Sequence, residues 1–306
     1  MKRITIKRHA PCVRMIAQHI TIWWIGMIAL SVTAQSDSND KSPHKTAFVT
    51  VNGVKLHYLD WGGAGETMLF LAGVGNTPHV FDEFAPKFTN DFRVLGITRR
   101  GHGESEIPDT GYDTATRVED IRQFLDALKI RRAVLVGHSA SGGELTMFGG
   151  LHPDRTTKLV YLDAVFDKDG QVELFRRHTP PQVKLPKTLD LMTAGEAHTD
   201  YKKIKPPVLA FHVVGFSSNG LKHLETLEPR PEPRQELQAT ILKIKAKEIE
   251  RFRKELPSAR VVYFTNADHA CFIDREDDVL REMRTFLAPT KSPPVQTGLP
   301  LPVDLR

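Results

Sequence analysis

The sequence is poor in cysteine and lacks the ligand spacings of common metal sites. Its 306 residues contain two cysteines, Cys12 and Cys271, and no C-x-x-C or H-E-x-x-H pattern. Gly-x-Gly occurs without the further glycine or the lysine of a phosphate-binding loop. The sequence therefore predicts no metal, no cofactor and no nucleotide site. If Cys12 is lost with a leader, no internal disulfide is possible.

Acidic residues are absent from the first 34 residues, which carry five basic ones. A short apolar run from Ile20 to Val32 follows, and Val32-Thr33-Ala34 is a small-residue cleavage pattern. The run is shorter than the roughly 20 residues that a membrane span needs. We predict a signal peptide over 1–34 and a secreted or periplasmic protein. The alternative is an uncleaved N-terminal membrane anchor.

Net charge is also absent from the remainder of the chain. The whole sequence has 42 basic and 37 acidic residues, and the five basic residues of the leader account for the difference. Without a basic stripe on the folded part, nucleic-acid binding is not expected. We expect a small-molecule substrate as partner, and no stable membrane insertion of the mature chain.

Short apolar runs alternate with segments of helical spacing from residue 48 onward. Asn52-Gly53 between two alternating runs predicts a hairpin. The later continuous runs, such as Ala133–Val136 and Leu159–Leu162, predict a parallel sheet covered on both faces. Two irregular stretches, 165–204 and 215–234, interrupt this pattern and predict insertions above the carboxyl ends of the strands.

The segment Val134–Gly143 is a strand that runs into a helix through small residues. A serine on such a turn exposes its hydroxyl above the sheet, provided that the residues two before and two after it are small. The segment resembles the nucleophile elbow of the α/β-hydrolase superfamily, and Arg100–Ser105 resembles the R-G-H-G-x-S loop of that family. The resemblance implies the α/β-hydrolase fold, a mostly parallel eight-stranded sheet flanked by helices, with a cap insertion.

On this basis the chain divides into a signal peptide 1–34, a linker 35–46, an α/β-hydrolase domain 47–288 and a proline-rich disordered tail 289–306. The elbow itself allows two registers, because both Ser139 and Ser141 have small residues two positions away on each side. Ser139 directly follows the apolar strand. Pro153 also lies 14 residues after Ser139, as the resemblance implies for the nucleophile. We predict Ser139 as the nucleophile.

A serine hydroxyl needs an imidazole to take its proton, and the family order is serine, acid, histidine. His269 follows the last predicted strand, and we predict it as the general base. No carboxylate closely follows the strand near residue 214. The resemblance offers Asp163, at the end of the preceding strand, as the acid, with Asp167 as the alternative.

The oxyanion hole requires two preorganised N–H donors. The residue after the nucleophile, Ala140, is expected to supply one. The turn Ala72–Asn76 resembles the family's H-G-x loop, with Ala72 in place of histidine, and it implies Val74 as the other donor.

These residues predict a serine hydrolase that acts on an ester-type substrate through an acyl-enzyme. Peptide, lactone and carbon–carbon bonds stay open as alternatives to the ester, and two alternatives concern the activity itself. One is a ligand-binding protein of the same fold without turnover, suggested by Ser141 in place of a glycine and by the missing later acid. The other is a cofactor-free, peroxide-dependent halogenating side activity of the same triad.

Overall fold

The computed structural model describes residues 43–165, 187–215 and 234–288. The predicted signal peptide, most of the linker, the predicted tail and much of both insertions lie outside the described residues, as does Asp167.

Eight strands form one sheet in the described residues. They are β1 Lys45–Val51, β2 Val54–Gly62, β3 Glu66–Leu71, β4 Phe92–Ile97, β5 Ala133–His138, β6 Thr156–Leu162, β7 Val208–Val213 and β8 Arg260–Phe264. Their order across the sheet is β1-β2-β4-β3-β5-β6-β7-β8. The β1–β2 and β2–β4 pairs are antiparallel, and the other pairs are parallel. The predicted mostly parallel, eight-stranded α/β fold is confirmed.

The antiparallel edge begins with the predicted hairpin. Asn52 and Gly53 join β1 to β2 with φ angles of 47° and 75°, and a two-residue turn of this kind requires positive φ at both positions. β1 begins at Lys45, so the first strand includes two residues that we assigned to the linker.

Six α-helices flank the sheet in the described residues. They are α1 Thr114–Ala127, α2 Gly142–Leu151, α3 Lys187–Ala194, α4 Arg234–Glu255, α5 Cys271–Asp274 and α6 Glu276–Leu287. Short 3-10 helices include Pro78–Phe81 and Ala85–Phe88 after β3. Among the helices that the structure describes, none is long and apolar enough to cross a membrane.

The core lies on both faces of the sheet because alternate side chains of a strand point to opposite faces. Leu69 and Leu71 of β3 pack with one buried cluster, to which α1, α2 and α4 contribute. Met68 and Phe70 of the same strand pack with the other, which includes residues of both 3-10 helices, α5 and α6. Continuous apolar strands are therefore buried on both sides, as the sequence predicts.

The carboxyl ends of parallel strands meet at one edge of a sheet, where ligands bind in open α/β folds. The turn 72–76 follows β3, Ser139 follows β5, and Asp163 follows β6. The segment 265–270, with His269, follows β8. The topology thus gathers every residue that we predicted for the site.

Candidate active site

Ser139 occupies a sharp turn between β5 and α2. Its φ is 56°, a left-handed conformation that non-glycine residues adopt at strained positions. A Cβ on Gly137 would approach the Ser141 hydroxyl to 2.6 Å, and a Cβ on Gly142 would overlap the carbonyl oxygen of Ala164. The turn therefore needs glycine at 137 and 142, while position 141 accepts a serine.

Ser141 is fully buried, and its hydroxyl is used inside the elbow. It donates to the carbonyl of His138 at 2.7 Å, and the carbonyl of Leu71 lies 3.1 Å away. A hydroxyl in this environment braces the turn and does not reach a substrate. Of the two registers allowed by the sequence, the geometry favours Ser139.

Ser139, His269 and Asp163 form a continuous hydrogen-bonded series. His269 Nε2 lies 2.8 Å from Ser139 Oγ, and His269 Nδ1 lies 2.7 Å from Asp163 Oδ2. If Nδ1 carries the imidazole proton and donates to the carboxylate, Nε2 is free to accept the proton of the serine. The side chain of His269 is 34% exposed and that of Asp163 is 2% exposed, so the series runs from the protein interior toward the solvent.

Asp163 has two further donors. Lys245, on α4, contacts both carboxylate oxygens at 2.9 and 2.7 Å, and the Val213 amide donates at 3.0 Å. Burial by itself raises the pKa of Asp163, but the Lys245 cation and the bond with His269 hold this pKa well below its usual range. Asp163 is therefore an ionised carboxylate, fixed in place at the innermost end of the series.

His138 supports the segment that carries His269. It is fully buried, and its Nε2 lies 3.2 Å from the backbone carbonyl of His269. Burial, reinforced by the neighbouring imidazole of His269, lowers the pKa of His138 to about 3, so the ring is neutral and donates from Nε2 to that carbonyl. Cys271 is also fully buried, and burial raises the pKa of its thiol. The thiol therefore stays protonated and is not a nucleophile.

The predicted oxyanion turn packs directly on the elbow. A Cβ on Gly73 would lie 3.0 Å from Ser139 Cβ, so a larger residue would have to push the turn away from the elbow. Gly73 brings Val74 to the same end of the site as Ala140. The part of these two amides as oxyanion donors stays a prediction.

Arg99 fixes the turn 72–76 through its guanidinium group. Its guanidinium donates to the carbonyl of Ala72 at 3.1 Å and lies 3.4 Å from that of Gly73. Glu144, buried on α2, accepts from Arg99 at 2.7 Å and lies 3.1 Å from Arg117. Burial raises the pKa of Glu144, and the two arginines outweigh this effect and lower it. The network therefore ties the turn to α2, which begins at the elbow.

Arg117 also connects this network to the second half of the predicted cap. It donates to Glu196 at 2.6 Å, and the Thr114 amide donates to the carbonyl of Gly195 at 3.1 Å. The segment after α3 is therefore anchored to the start of α1.

Sequence reasoning missed Lys245 and Arg99. Lys245 is one of several lysines on a charged helix and lies 82 residues from Asp163. No local pattern separates it from Lys243 or Lys247. The position of Arg99 directly before the R-G-H-G loop marks it as a residue near the site. Its contacts with the turn 72–76, however, depend on how β3 and β4 pair.

The sequence model of the alpha/beta hydrolase family matches residues 68–282. This chain belongs to the alpha/beta hydrolase family. A non-heme chloroperoxidase of Streptomyces lividans is 35% identical over 119 residues, 38% of this chain and 43% of that protein. A 2-(acetamidomethylene)succinate hydrolase of Mesorhizobium japonicum is 31% identical over 101 residues, 33% of this chain and 36% of that protein. The chain thus matches less than half the length of either relative.

A solved structure extends the likeness to the whole fold. The crystal structure of E-2-(acetamidomethylene)succinate hydrolase superposes with a TM-score of 0.60, covering 80% of this chain and all of that one, at 18% identity. Family membership and fold agree with the resemblance stated from the sequence. The relatives include hydrolases and a haloperoxidase.

Proposed function

We propose that this chain is a serine hydrolase that cleaves a small ester-type substrate through an acyl-enzyme. The observation that carries the proposal is the unbroken series from Ser139 Oγ through His269 to Asp163. A serine nucleophile forms an acyl-enzyme, and an ester is the simplest acyl donor for that step.

In the acylation step, Ser139 Oγ attacks the carbonyl carbon while His269 Nε2 takes the hydroxyl proton. The bond from carbon to the alcohol oxygen then breaks, and His269 returns the proton to the departing alkoxide. In the second step, water gives a proton to His269 and attacks the acyl group. The bond from the acyl carbon to Ser139 Oγ breaks, the carboxylic acid leaves, and His269 returns the proton to Ser139 Oγ.

Asp163 supports this cycle as a positioning and charge-stabilising residue. Its carboxylate fixes the tautomer of His269 and stabilises the imidazolium that forms during each step. Lys245 and the Val213 amide hold that carboxylate ionised and immobile in a buried position. The amides of Val74 and Ala140 supply the oxyanion hole in this proposal, and Arg99 fixes the Val74 turn.

Two observations argue against the non-catalytic alternative. The Ser141 hydroxyl is accommodated inside the elbow by a hydrogen bond to the His138 carbonyl, and Asp163 lies within hydrogen-bond distance of His269 and is the acid in this proposal. The peroxidase-like alternative has one specific observation in its favour, the similarity to a chloroperoxidase. Hydrogen peroxide in place of water would convert the acyl-enzyme into a peracid, which can oxidise a halide, so both activities would use Ser139.

Fluorophosphonate labelling with mass spectrometry tests the proposal. We expect phosphonylation at Ser139 that is lost in Ser139→Ala and His269→Ala and kept in Ser141→Ala. The same variants should lose or keep hydrolysis of p-nitrophenyl acetate in parallel. An unlabelled, folded protein would refute the serine hydrolase, and label at Ser141 would refute the register. Peroxide-dependent bromination in acetate buffer, with weak ester hydrolysis, would favour the second candidate.

We also propose that residues 1–34 direct export, on the basis of the basic start, the apolar run and the small residues before Ala34. N-terminal sequencing after expression in a bacterial host should find a periplasmic protein that begins at Gln35. A membrane-bound protein that retains Met1 would instead establish the anchor.

A further inference from the structure

A second cluster of metal-ligating side chains lies away from the triad. In the residues that the structure describes, the ligand atoms of His44, His79 and Asp82 all lie within 4.8 Å of one another. His44 directly precedes β1, His79 lies in the first 3-10 helix after β3, and Asp82 directly follows that helix. The chain thus gathers two imidazoles and one carboxylate from two separate segments.

The distances suit a shared ion after a small adjustment. His79 Nδ1 lies 2.7 Å from Asp82 Oδ2, and His44 Nδ1 lies 4.0 Å from Asp82 Oδ1. Ligands of a tetrahedral zinc ion, bound at about 2.0–2.1 Å, lie about 3.3 Å apart. The first pair must therefore open and the second must close, each by less than about 1 Å, and the two imidazole nitrogens, which lie within 4.8 Å of each other, must close by up to about 1.5 Å.

Neighbouring groups orient the carboxylate and one imidazole. Trp61 on β2 donates its indole N–H to Asp82 Oδ1 at 3.1 Å, as outer partners do when they orient a carboxylate ligand. The His57 ring, also on β2, stacks on His79 with centroids 6.3 Å apart. The two ligand segments are thus packed against one rigid strand.

Exposure leaves a route for a hydrated ion. The side chain of His79 is 41% exposed, whereas those of His44 and Asp82 are 11% and 16% exposed. An ion would enter past His79 and keep water at its remaining position.

We propose that His44, His79 and Asp82 bind one transition-metal dication, with Zn²⁺ as the preferred ion. Two imidazole nitrogens and one carboxylate suit zinc and its neighbours in the first transition row, whereas Mg²⁺ and Ca²⁺ prefer all-oxygen sites. The ion would connect the segment before β1 to the 3-10 helix that follows the oxyanion turn. Its binding does not depend on the proposed hydrolysis.

Calorimetric titration of the full chain with ZnCl₂ tests the site, using protein made without a polyhistidine tag and stripped with a chelator. We expect one equivalent, an affinity lower by about a hundredfold or more in His79→Ala and in Asp82→Asn, and no change in His198→Ala, an exposed histidine elsewhere. At a hundredfold excess of Zn²⁺ over Kd, the Tm should rise by about 5 °C or more. Zn²⁺ should leave the Tm of the His79→Ala and Asp82→Asn variants unchanged, each compared with its own chelator-stripped form.

A second measurement needs no ligand variant. Trp61 is the one tryptophan after residue 34, beside Trp23 and Trp24 of the leader. Co²⁺ bound at Asp82 should therefore quench the fluorescence of Trp61, and excess Zn²⁺ should reverse the quenching. The quenched part of the emission should be missing in Trp61→Phe. Binding that persists in His79→Ala and Asp82→Asn, or that is lost in His269→Ala, would place the ion elsewhere. That result, or no saturable binding below about 100 µM, would overturn the proposal.

Discussion

Replacing Lys245 with methionine removes the cation that contacts both oxygens of Asp163 and keeps a side chain of similar length. The lysine side chain is 13% exposed and that of Asp163 is 2% exposed, so the pair is largely shielded from water. Removing one partner of such a pair costs about 3–5 kcal/mol of unfolding free energy. Because Asp163 keeps two donors, His269 and the Val213 amide, we expect Lys245→Met to lower the unfolding free energy by about 2–4 kcal/mol.

The pH dependence of this loss has a definite sign. The folded pKa of Asp163 lies below its unfolded value of about 3.9, so the carboxylate stabilises the fold above about pH 4. This stabilisation disappears as the pH falls through the folded pKa. The difference in unfolding free energy between parent and Lys245→Met should therefore be full at pH 7 and should shrink in acid.

The same change should alter catalysis. Lys245 and His269 contact the same carboxylate oxygen. When His269 is protonated, its imidazolium and the Lys245 ammonium lie roughly 5 Å apart and repel each other by about 1–3 kcal/mol, depending on the local dielectric. Without the lysine, the carboxylate favours the protonated imidazole more strongly. The acidic limb of the kcat/KM profile should move to higher pH by about 0.7–2.2 units.

Urea unfolding at pH 7 and at about pH 2, below the unfolded pKa, together with pH profiles of ester hydrolysis, measures both effects. Lys243→Met, on an exposed residue of the same helix, is the matched control, and Lys245→Arg should restore part of both. A Lys245→Met protein within about 0.5 kcal/mol of its parent, with an unmoved acidic limb, would show that the ion pair does not operate in solution.

Three further substitutions probe the elbow and its support. Ser141→Ala should lower unfolding free energy by about 1–2 kcal/mol, because the His138 carbonyl loses its donor, while fluorophosphonate still labels Ser139; loss of label would contradict the register. Gly142→Ala should cost about 3 kcal/mol or more by urea unfolding, since its Cβ would overlap the Ala164 carbonyl; a neutral result would mean a different turn. Glu144→Gln should cost about 2–4 kcal/mol and lower kcat, because Arg99 loses the anion that it contacts and Arg117 is left with Glu196; unchanged stability would show that the network is hydrated.

Much of the site could be predicted because it depends on local chain geometry and on strand order. A serine between an apolar strand and a helix, with small neighbours, allows few conformations, and the observed φ of Ser139 is one of them. A histidine after the last strand must lie at the carboxyl edge of a parallel sheet. The two registers of the elbow are harder to distinguish from the sequence, because Ser139 and Ser141 both have small residues two positions away on each side. Burial of the second hydroxyl distinguishes them.

The sequence by itself determined the layered α/β fold, the hairpin at Asn52-Gly53 and the position of the elbow, since these follow from residue periodicity and turn chemistry. Only the tertiary structure decided that Lys245 reaches Asp163 and that His44 meets His79 and Asp82. These side chains come from distant segments, and the packing of helix α4 and the pairing of β1 with β2 bring them together. Periodicity specifies which face of an element is buried, but it does not specify which polar side chains meet once those faces pack.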